Sequence, residues 1–422
     1  MDSIAEGEDM PPDDLLNERI YEQTRADQRL RDRSRMTGLS RRRFLAAMAA
    51  VSGTVLTTDI VRKTAGAQSP SDLVVKPTPP EFFYDLGANK EMRWENMYSR
   101  GYVVPNELFF VRNHSRTARL EAAPWRLRVE GSGVSKPREF SYDELVGLPS
   151  VTVTRFVECA GNGRSFFEVK YGKKAQGGQW KLGAIGVAEW TGVPLREVLD
   201  RAGLKRTAVD VMPEGLDELR VRRPMPVAKA LADDTLLAYA MNGQTLPQDH
   251  GFPVRVLVPG WVGVANVKWV GRIEVSEKPL WSAWNTESYV LIGPGYKPKP
   301  PAQGPVLSFQ TVKSAFELEW DGKLLVQPRL LRGRSWSGRG KIAKVDVSVN
   351  GGATWQPARL RDPNIAQAWV RWDIDWNPLP GAYSLVARAT DEHGNAQPPA
   401  TPWNEQGYLY GGVVAHPVTV GA

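Results

Sequence analysis

The chain has 422 residues, too many for one core at the ~150 residues of an average domain, and its 42% hydrophobic and 24% charged composition excludes a mainly disordered protein. A single cysteine excludes an intramolecular disulfide, a covalently attached haem and any Cys-based zinc or iron–sulfur centre, and four histidines leave little for a multi-histidine metal site. The net charge of +7 lies in the body, because residues 1–67 balance at 11 basic and 11 acidic; a modest positive field suits an anionic substrate or an acidic partner, and no dense Lys/Arg stripe points to nucleic acid.

Residues 1–39 are polar, carry Pro11 and Pro12, and show little apolar periodicity, so they read as a disordered extension. Residues 40–67 combine Arg41-Arg42-Arg43-Phe44-Leu45, a short apolar stretch from Leu45 to Thr58, and Ala65-Gly66-Ala67. Charged region, apolar region and small-residue site together make an export signal, and the paired arginines make it a twin-arginine signal, which implies a periplasmic protein. No apolar run approaches the ~20 residues of a membrane-spanning helix. Residues 68–90 form an extended lead-in with Pro77, Pro79 and Pro80.

From 91 to 300 strands and short helices mix without a regular βαβ rhythm, which predicts an α+β domain. Trp125 to Gly131 alternates apolar with polar and reads as a strand. Ser141 is a plausible N-cap for a short helix opening at Tyr142. Val151 to Val157 is a strand ending near the cysteine, and Leu195 to Ala202 a helix stopped by Gly203. Phe252 to Val258 and Lys268 to Val275 read as further strands. Around Gly293 to Pro301 the composition turns to Gly, Pro and Lys, a linker. Residues 301–422 then read as all β. Val345, Val347 and Val349 alternate before an Asn350-Gly351 hairpin turn; Val370, Trp372, Ile374 and Trp376 keep alternate positions apolar, as do Tyr383, Leu385, Ala387 and Ala389. The pattern predicts an immunoglobulin-like sandwich without an inter-sheet disulfide.

Three segments carry chemistry. Cys159 sits where a strand runs into the turn Ala160-Gly161-Asn162-Gly163-Arg164. It is either a buried structural thiol or, beside the cation of Arg164, a thiolate able to bind a soft metal if a cofactor supplies the other ligands. Phe110-Val111-Arg112-Asn113-His114 delivers three polar side chains at a strand end, either a satisfied loop or a grip on an anion. Asp249-His250-Gly251-Phe252-Pro253-Val254-Arg255 and Asn266-Val267-Lys268-Trp269 add cationic donors in separate turns, which fits a phosphate-bearing ligand. The absence of a Gly-x-Gly-x-x-Gly or phosphate-loop motif disfavours a nicotinamide or nucleoside-triphosphate site.

Taken in order, these segments resemble the sulfite oxidase family of molybdenum enzymes over roughly residues 85–420. The resemblance implies a molybdopterin-binding domain (91–300) followed by an immunoglobulin-like dimerisation domain (301–422). It implies that Cys159 ligates molybdenum beside the pterin dithiolene and that Arg112 and Arg164 meet an anionic substrate. Trp180 would wall the pocket, and Tyr289 falls where the family has an active-site tyrosine. Asn113, His114, Asp217, His250, Arg255 and Lys268 match pterin-binding positions, and Phe110, Val111, Asn266 and Val267 belong to the same motifs. The implied reaction is oxygen-atom transfer to sulfite, after which two electrons leave one at a time. No haem is expected in this chain, so the implied acceptor is a separate c-type cytochrome, and a homodimer or a heteromer with a cytochrome subunit is expected. Trp403-Asn404-Glu405-Gln406-Gly407 departs from the family pattern Trp-Asn-x-Arg-Gly. Gln406 in place of that arginine points to the sulfane dehydrogenase branch of the thiosulfate-oxidising Sox system, which acts on sulfur bound to a carrier protein. A related exported methionine-sulfoxide reductase would use the same cysteine, but residues 305–420 count against it. A cofactor-free binding protein would be expected to lack these motifs.

Overall fold

The computed structural model describes residues 73–98 and 100–421; the expected extension, the twin-arginine signal and the first residues of the lead-in lie outside them. The described chain opens with a hairpin of β1 (Phe83–Leu86) and β2 (Asn89–Met92), turned at Gly87 with φ of +73°. Then come β3 (Arg126–Glu130), β4 (Arg138–Ser141), β5 (Val151–Glu158), β6 (Ile185–Pro194), β7 (Asp210–Gly215), β8 (Met225–Pro226), β9 (Leu236–Met241), β10 (Gln244–Thr245), β11 (Arg255–Leu257) and β12 (Val270–Ser276). They form two sheets. One runs β4-β3-β12-β7-β8; the other runs β10-β9-β6-β5, with β11 also on β9.

Local chemistry explains these elements. In β3, Leu127 and Val129 are fully buried while Arg126 and Arg128 face solvent, the alternation of a half-buried strand. Ser141 ends β4 and caps the helix Tyr142–Val146 in a capping box with Glu144. The helix Leu195–Arg201 stops before Gly203, whose φ is +69°. Helices are few and short: the longest among the described residues span seven residues.

Two strands are shorter than the sequence suggests. The stretch from Phe252 to Val258 pairs only over Arg255–Leu257, because His250, Gly251 and Pro253 shape a turn and Pro253 has no N–H for a ladder. The stretch from Lys268 starts only at Val270: Trp269 is left-handed, φ +53°, and breaks the pleat before the ladder begins.

The C-terminal strands are β13 (Lys313–Phe316), β14 (Gly322–Leu325), β15 (Arg329–Trp336), β16 (Ile342–Ser348), β17 (Gln356–Pro357), β18 (Arg359–Arg361), β19 (Trp369–Trp376), β20 (Gly381–Asp391) and β21 (Ala415–Gly421). Sheets β13-β15-β19-β18 and β14-β21-β20-β16-β17 share one core, in which Leu331, Trp372 and Ile374 of the first lie with Val345, Leu385 and Val418 of the second. The alternating residues Val370, Trp372, Ile374 and Trp376 are all buried there. Asn350 and Gly351 do lie in the β16–β17 connection, but Val347 pairs with Gln356, so the loop is longer than a two-residue hairpin. Before β13 the chain folds back on the N-terminal half. Leu291 N–H donates to Pro305 O at 3.0 Å and Leu307 N–H to Tyr289 O at 3.0 Å, which closes the Gly/Pro/Lys segment into a loop.

Candidate active site

Strand β5 ends at Glu158, and the next residue is Cys159. Its amide donates to Ala184 O of the neighbouring segment (2.9 Å), and its carbonyl accepts from Asn162 N–H (3.0 Å). The thiol is buried and accepts from Gly161 N–H at 3.4 Å. Gly163 holds φ of +93°, where a Cβ would lie 3.0 Å from that of Tyr410, so this turn needs its glycine. The thiol opens on a cavity lined by Arg112, Asn113, His114, Asp217, Asn266, Val267, Lys268 and Tyr289.

These side chains are wired together. Tyr289 Oη lies 2.7 Å from His114 Nε2 and accepts from Arg112 Nη2 at 3.4 Å. Tyr289 has a left-handed φ of +56°, and its ring stacks on Tyr408 at 5.0 Å. A tyrosine held there is strained backbone kept by its surroundings. Asn113 N–H donates to Asn89 Oδ1 (2.9 Å), and Asn113 Oδ1 accepts from Lys268 Nζ. Lys268 also donates to Asp249 O at 2.8 Å. Asp217 accepts from Val221 N–H at 3.1 Å, which fixes the loop after β7.

Burial dominates the electrostatics. It pulls Lys268 well below the ordinary lysine range, with Arg255 adding to the effect. Burial, then Arg112 and Lys268, pull His114 well below ordinary histidine; burial, then Lys76 and Lys268, do the same to His250. Burial lowers Arg255 to about 9 and raises Asp217. His250 Nε2 and Arg255 Nε are buried without a hydrogen-bond partner. The Asp249 carboxylate is used elsewhere, on the amides of Val75 and Lys76 (2.9 and 2.7 Å) and the hydroxyl of Thr117 (2.6 Å). The region gathers basic side chains stripped of water and short of anionic partners, with its two histidines held neutral, and an entering anion would favour their charged or donor forms.

Six sequence-predicted residues lie outside the cavity lining. Phe110 packs edge-on against Trp180 at 6.5 Å, and Val111 pairs with Lys90 through the backbone. Trp180 is buried, and its carbonyl accepts from Ser165 N–H at 3.1 Å. Arg164 donates through Nε to Gln406 O (2.8 Å) and through Nη1 to Gly178 O (2.9 Å), and its guanidinium sits 5.3 Å from the centre of the Tyr408 ring. His250 and Arg255 are buried together, with Arg255 Nη1 donating to His250 O (3.1 Å) and Nη2 to Asn266 O (3.0 Å). Gln406 donates through its amide Nε2 to Glu287 O at 2.7 Å and does not line the cavity.

Sequence reasoning missed Tyr408, Trp284 (4.3 Å from the His114 ring) and Asn89. Tyr408 lies just beyond the Trp403–Gly407 motif, a weak signal; Asn89 gave none. It also missed Glu158, which is fully buried and whose Oε1 accepts from Asn162 Nδ2 at 2.9 Å and from Lys313 Nζ at 2.6 Å. Among the described residues no cluster of three or more His, Cys, Asp or Glu could hold a metal, and no helix is long and apolar enough to cross a membrane.

Comparison with known proteins agrees with this geometry. The oxidoreductase molybdopterin binding domain matches residues 114–284, and the Mo-co oxidoreductase dimerisation domain matches residues 315–413. Mitochondrial sulfite oxidase from Homo sapiens is 36% identical over 334 residues, 74% of this chain and 61% of that protein. Sulfite oxidase from Gallus gallus is 38% identical, covering 73% of this chain and 71% of that protein. The crystal structure of the sulfane dehydrogenase SoxCD from Paracoccus pantotrophus matches with a TM-score of 0.67 at 28% identity, over 85% of this chain and 92% of that one. The chain therefore spans 61% of the length of its human relative.

Proposed function

The chain belongs to the sulfite oxidase family of molybdopterin oxidoreductases, and we propose that it oxidises sulfite or a sulfane sulfur by oxygen-atom transfer and passes the electrons to an external c-type cytochrome. The observation that carries this reading is the single buried thiol of Cys159 opening on a cavity surrounded by desolvated basic side chains. The donor set fits a molybdenum–molybdopterin cofactor. One thiol sulfur is available to the metal, and the buried His250 Nε2 and Arg255 Nε have no hydrogen-bond partner and are free for an anionic pterin. His114, Asn113, Asp217, His250, Arg255 and Lys268 would hold the organic part, and Cys159 the metal. When bound, the group supplies the two-electron redox chemistry and the oxygen transfer.

The protein's own residues then do three things. Arg112, turned toward the Cys159 thiol and the Tyr289 hydroxyl, offers a fixed cation to an anionic substrate. Tyr289 Oη stands between Arg112 and His114. Because His114 is held neutral, its Nε2 can accept a hydrogen bond from the Tyr289 hydroxyl while Nη2 of Arg112 donates to the phenol oxygen, which orients the hydroxyl over the cavity. The Tyr289–Tyr408 stack and Val264 close the cavity with apolar surface, which strengthens each of these interactions by excluding water. Arg164 acts from behind this wall through its contact with Tyr408.

A sulfane substrate is favoured by two observations: the match to SoxCD along 85% of the chain, and Gln406, whose amide is committed to Glu287 O where the family pattern has an arginine. An acceptor assay of molybdenum-loaded protein decides between the substrates. Cytochrome c reduction by free sulfite alone would support sulfite; reduction only with a carrier-bound sulfur would support the sulfane reading. No turnover with either, at full molybdenum content, would overturn both. Two further features belong to the same reading: export by the twin-arginine route to the periplasm, supported by Arg42 and Arg43, and an immunoglobulin-like C-terminal sandwich serving a homodimer or a cytochrome-bound heteromer, supported by its two-sheet core.

A further inference from the structure

The thiol direction of Cys159 is set by the backbone of residues 158–162, and that backbone is fastened from the C-terminal half of the molecule. Glu158 is 0% exposed. Its Oε1 accepts from Lys313 Nζ at 2.6 Å and from Asn162 Nδ2 at 2.9 Å; its Oε2 accepts from Trp336 Nε1 at 3.0 Å. Its carbonyl accepts from Gln310 Nε2 at 2.7 Å. Asn162 passes the constraint on, since its Oδ1 accepts from Ala184 N–H at 3.0 Å, and Ala184 O receives the Cys159 amide. Gln310 precedes β13, Lys313 begins it, and Trp336 ends β15. From the opposite side Gly263 leaves no slack: a Cβ there would sit 2.7 Å from Glu158 O and 3.4 Å from Cys159 Cα. Gly263 itself lines the cavity.

An ion pair this deep is a poor source of stability, because desolvating both charges offsets their attraction. A well-packed apolar pair would hold the two halves together as well. What the ion pair adds is direction: a carboxylate with three donors around it has one orientation, and it fixes Asn162 and, through it, the cysteine turn. We infer that Lys313 is a positioning residue for the Cys159 thiolate, acting through Glu158, so that the C-terminal sandwich forms part of the support of the active site. The inference rests on the reading of Cys159 as the metal-holding thiolate.

The test is the double substitution Glu158→Gln with Lys313→Met, which removes both charges and keeps the shape, made in the full chain and loaded with molybdenum. The expected result is a normal circular dichroism spectrum, kcat lower by roughly 10- to 100-fold, the range for residues that orient metal ligands, an unchanged KM, and a shifted electron paramagnetic resonance spectrum of the molybdenum. Lys313→Arg, which keeps the charge, should retain most of the activity. Cysteine 159 is the only thiol, so iodoacetamide alkylation of cofactor-free protein reports on it alone; its rate should change severalfold in the double variant. If that variant does not fold, Gln310→Met removes the bond to Glu158 O without burying a charge and should shift the same readouts in the same direction. Wild-type alkylation rate, spectrum and kcat in a folded variant would overturn the inference. Absence of molybdenum from the wild-type protein would instead overturn the family reading of Cys159, and the alkylation comparison separates the two.

Discussion

At the scale of single residues, the site divides by how far apart in the chain its contacts lie. Arg112, Asn113 and His114 are consecutive, as are Asn266, Val267 and Lys268, and such runs were legible as motifs, although the structure places them in irregular segments and not at the strand end that the sequence suggests for Arg112 to His114. Glu158 was not, since its partners Lys313 and Trp336 lie 155 and 178 positions away, and a lone glutamate before a cysteine carries no pattern. His250 and Arg255 read as grip residues from sequence; the structure places them behind the lining, where Arg255 bridges the His250 and Asn266 carbonyls and both carry unpartnered nitrogens. Replacing Cys159 by serine should leave the fold intact and remove metal and turnover. The loss should exceed ~100-fold, since even outer-shell changes reach that range; molybdenum content and steady-state rate measured on one preparation check it. Tyr289→Phe removes the hydroxyl between Arg112 and His114. It should lower kcat/KM by roughly 10- to 100-fold, at or below the usual contribution of one acid–base group, and an unchanged kcat/KM would show that the hydroxyl is a bystander.

At the scale of elements, the fold was legible where alternation is strict and illegible where the chain bends toward the site. Val370 to Trp376 and Leu127 to Val129 fell as their period requires. Residues 252–254 and 268–269 did not join their strands, because Gly251 and Trp269 hold left-handed backbone beside them and Pro253 lacks an N–H. The lead-in also proved to be more than a connector. Leu73 O accepts from Thr117, Asp249 holds the amides of Val75 and Lys76, and Lys76 Nζ donates to the carbonyls of Asn106 and Glu107 at 3.2 and 3.1 Å. Burial lowers Lys76 from 10.5 to about 7. Between those values the unfolded chain binds the proton and the folded chain does not, so this group makes stability rise with pH from about 7 to 10.5 and costs most at and below 7. Lys76→Met should therefore change the urea midpoint most favourably near pH 7 relative to the parent, with the gain fading toward pH 10. A difference between the two proteins that does not vary with pH would refute the assignment.

At the scale of the whole molecule, the two halves share buried polar contacts as well as a chain. Lys313–Glu158 is one; in another, Arg334 pairs with Glu317 at 2.6 Å and donates to Tyr102 O at 3.1 Å. Trp369 Nε1 donates to the same Tyr102 carbonyl at 2.9 Å. Lys313→Met alone leaves the Glu158 carboxylate buried without its cation and should cost about 3–5 kcal/mol, read from denaturant unfolding, with most of it regained on adding Glu158→Gln. The described halves should also melt in a single calorimetric transition, because neither buries its own charges without the other; two resolved transitions would contradict this. A change of composition near residue 300 suggests a boundary in the sequence, but the buried contacts across it were not legible, since they rest on side chains that meet only in the folded molecule.

The bonds that Glu158 accepts from Gln310, Lys313 and Trp336 set a condition on the ancestry of such chains. A gene that exchanged its C-terminal module for that of a distant cousin would have to import Gln310, Lys313 and Trp336 together, or acquire a different residue at 158 in the same step. Recombination at the Gly/Pro/Lys loop, the place where the chain looks easiest to cut, would then yield viable hybrids only between parents that already agree at those positions.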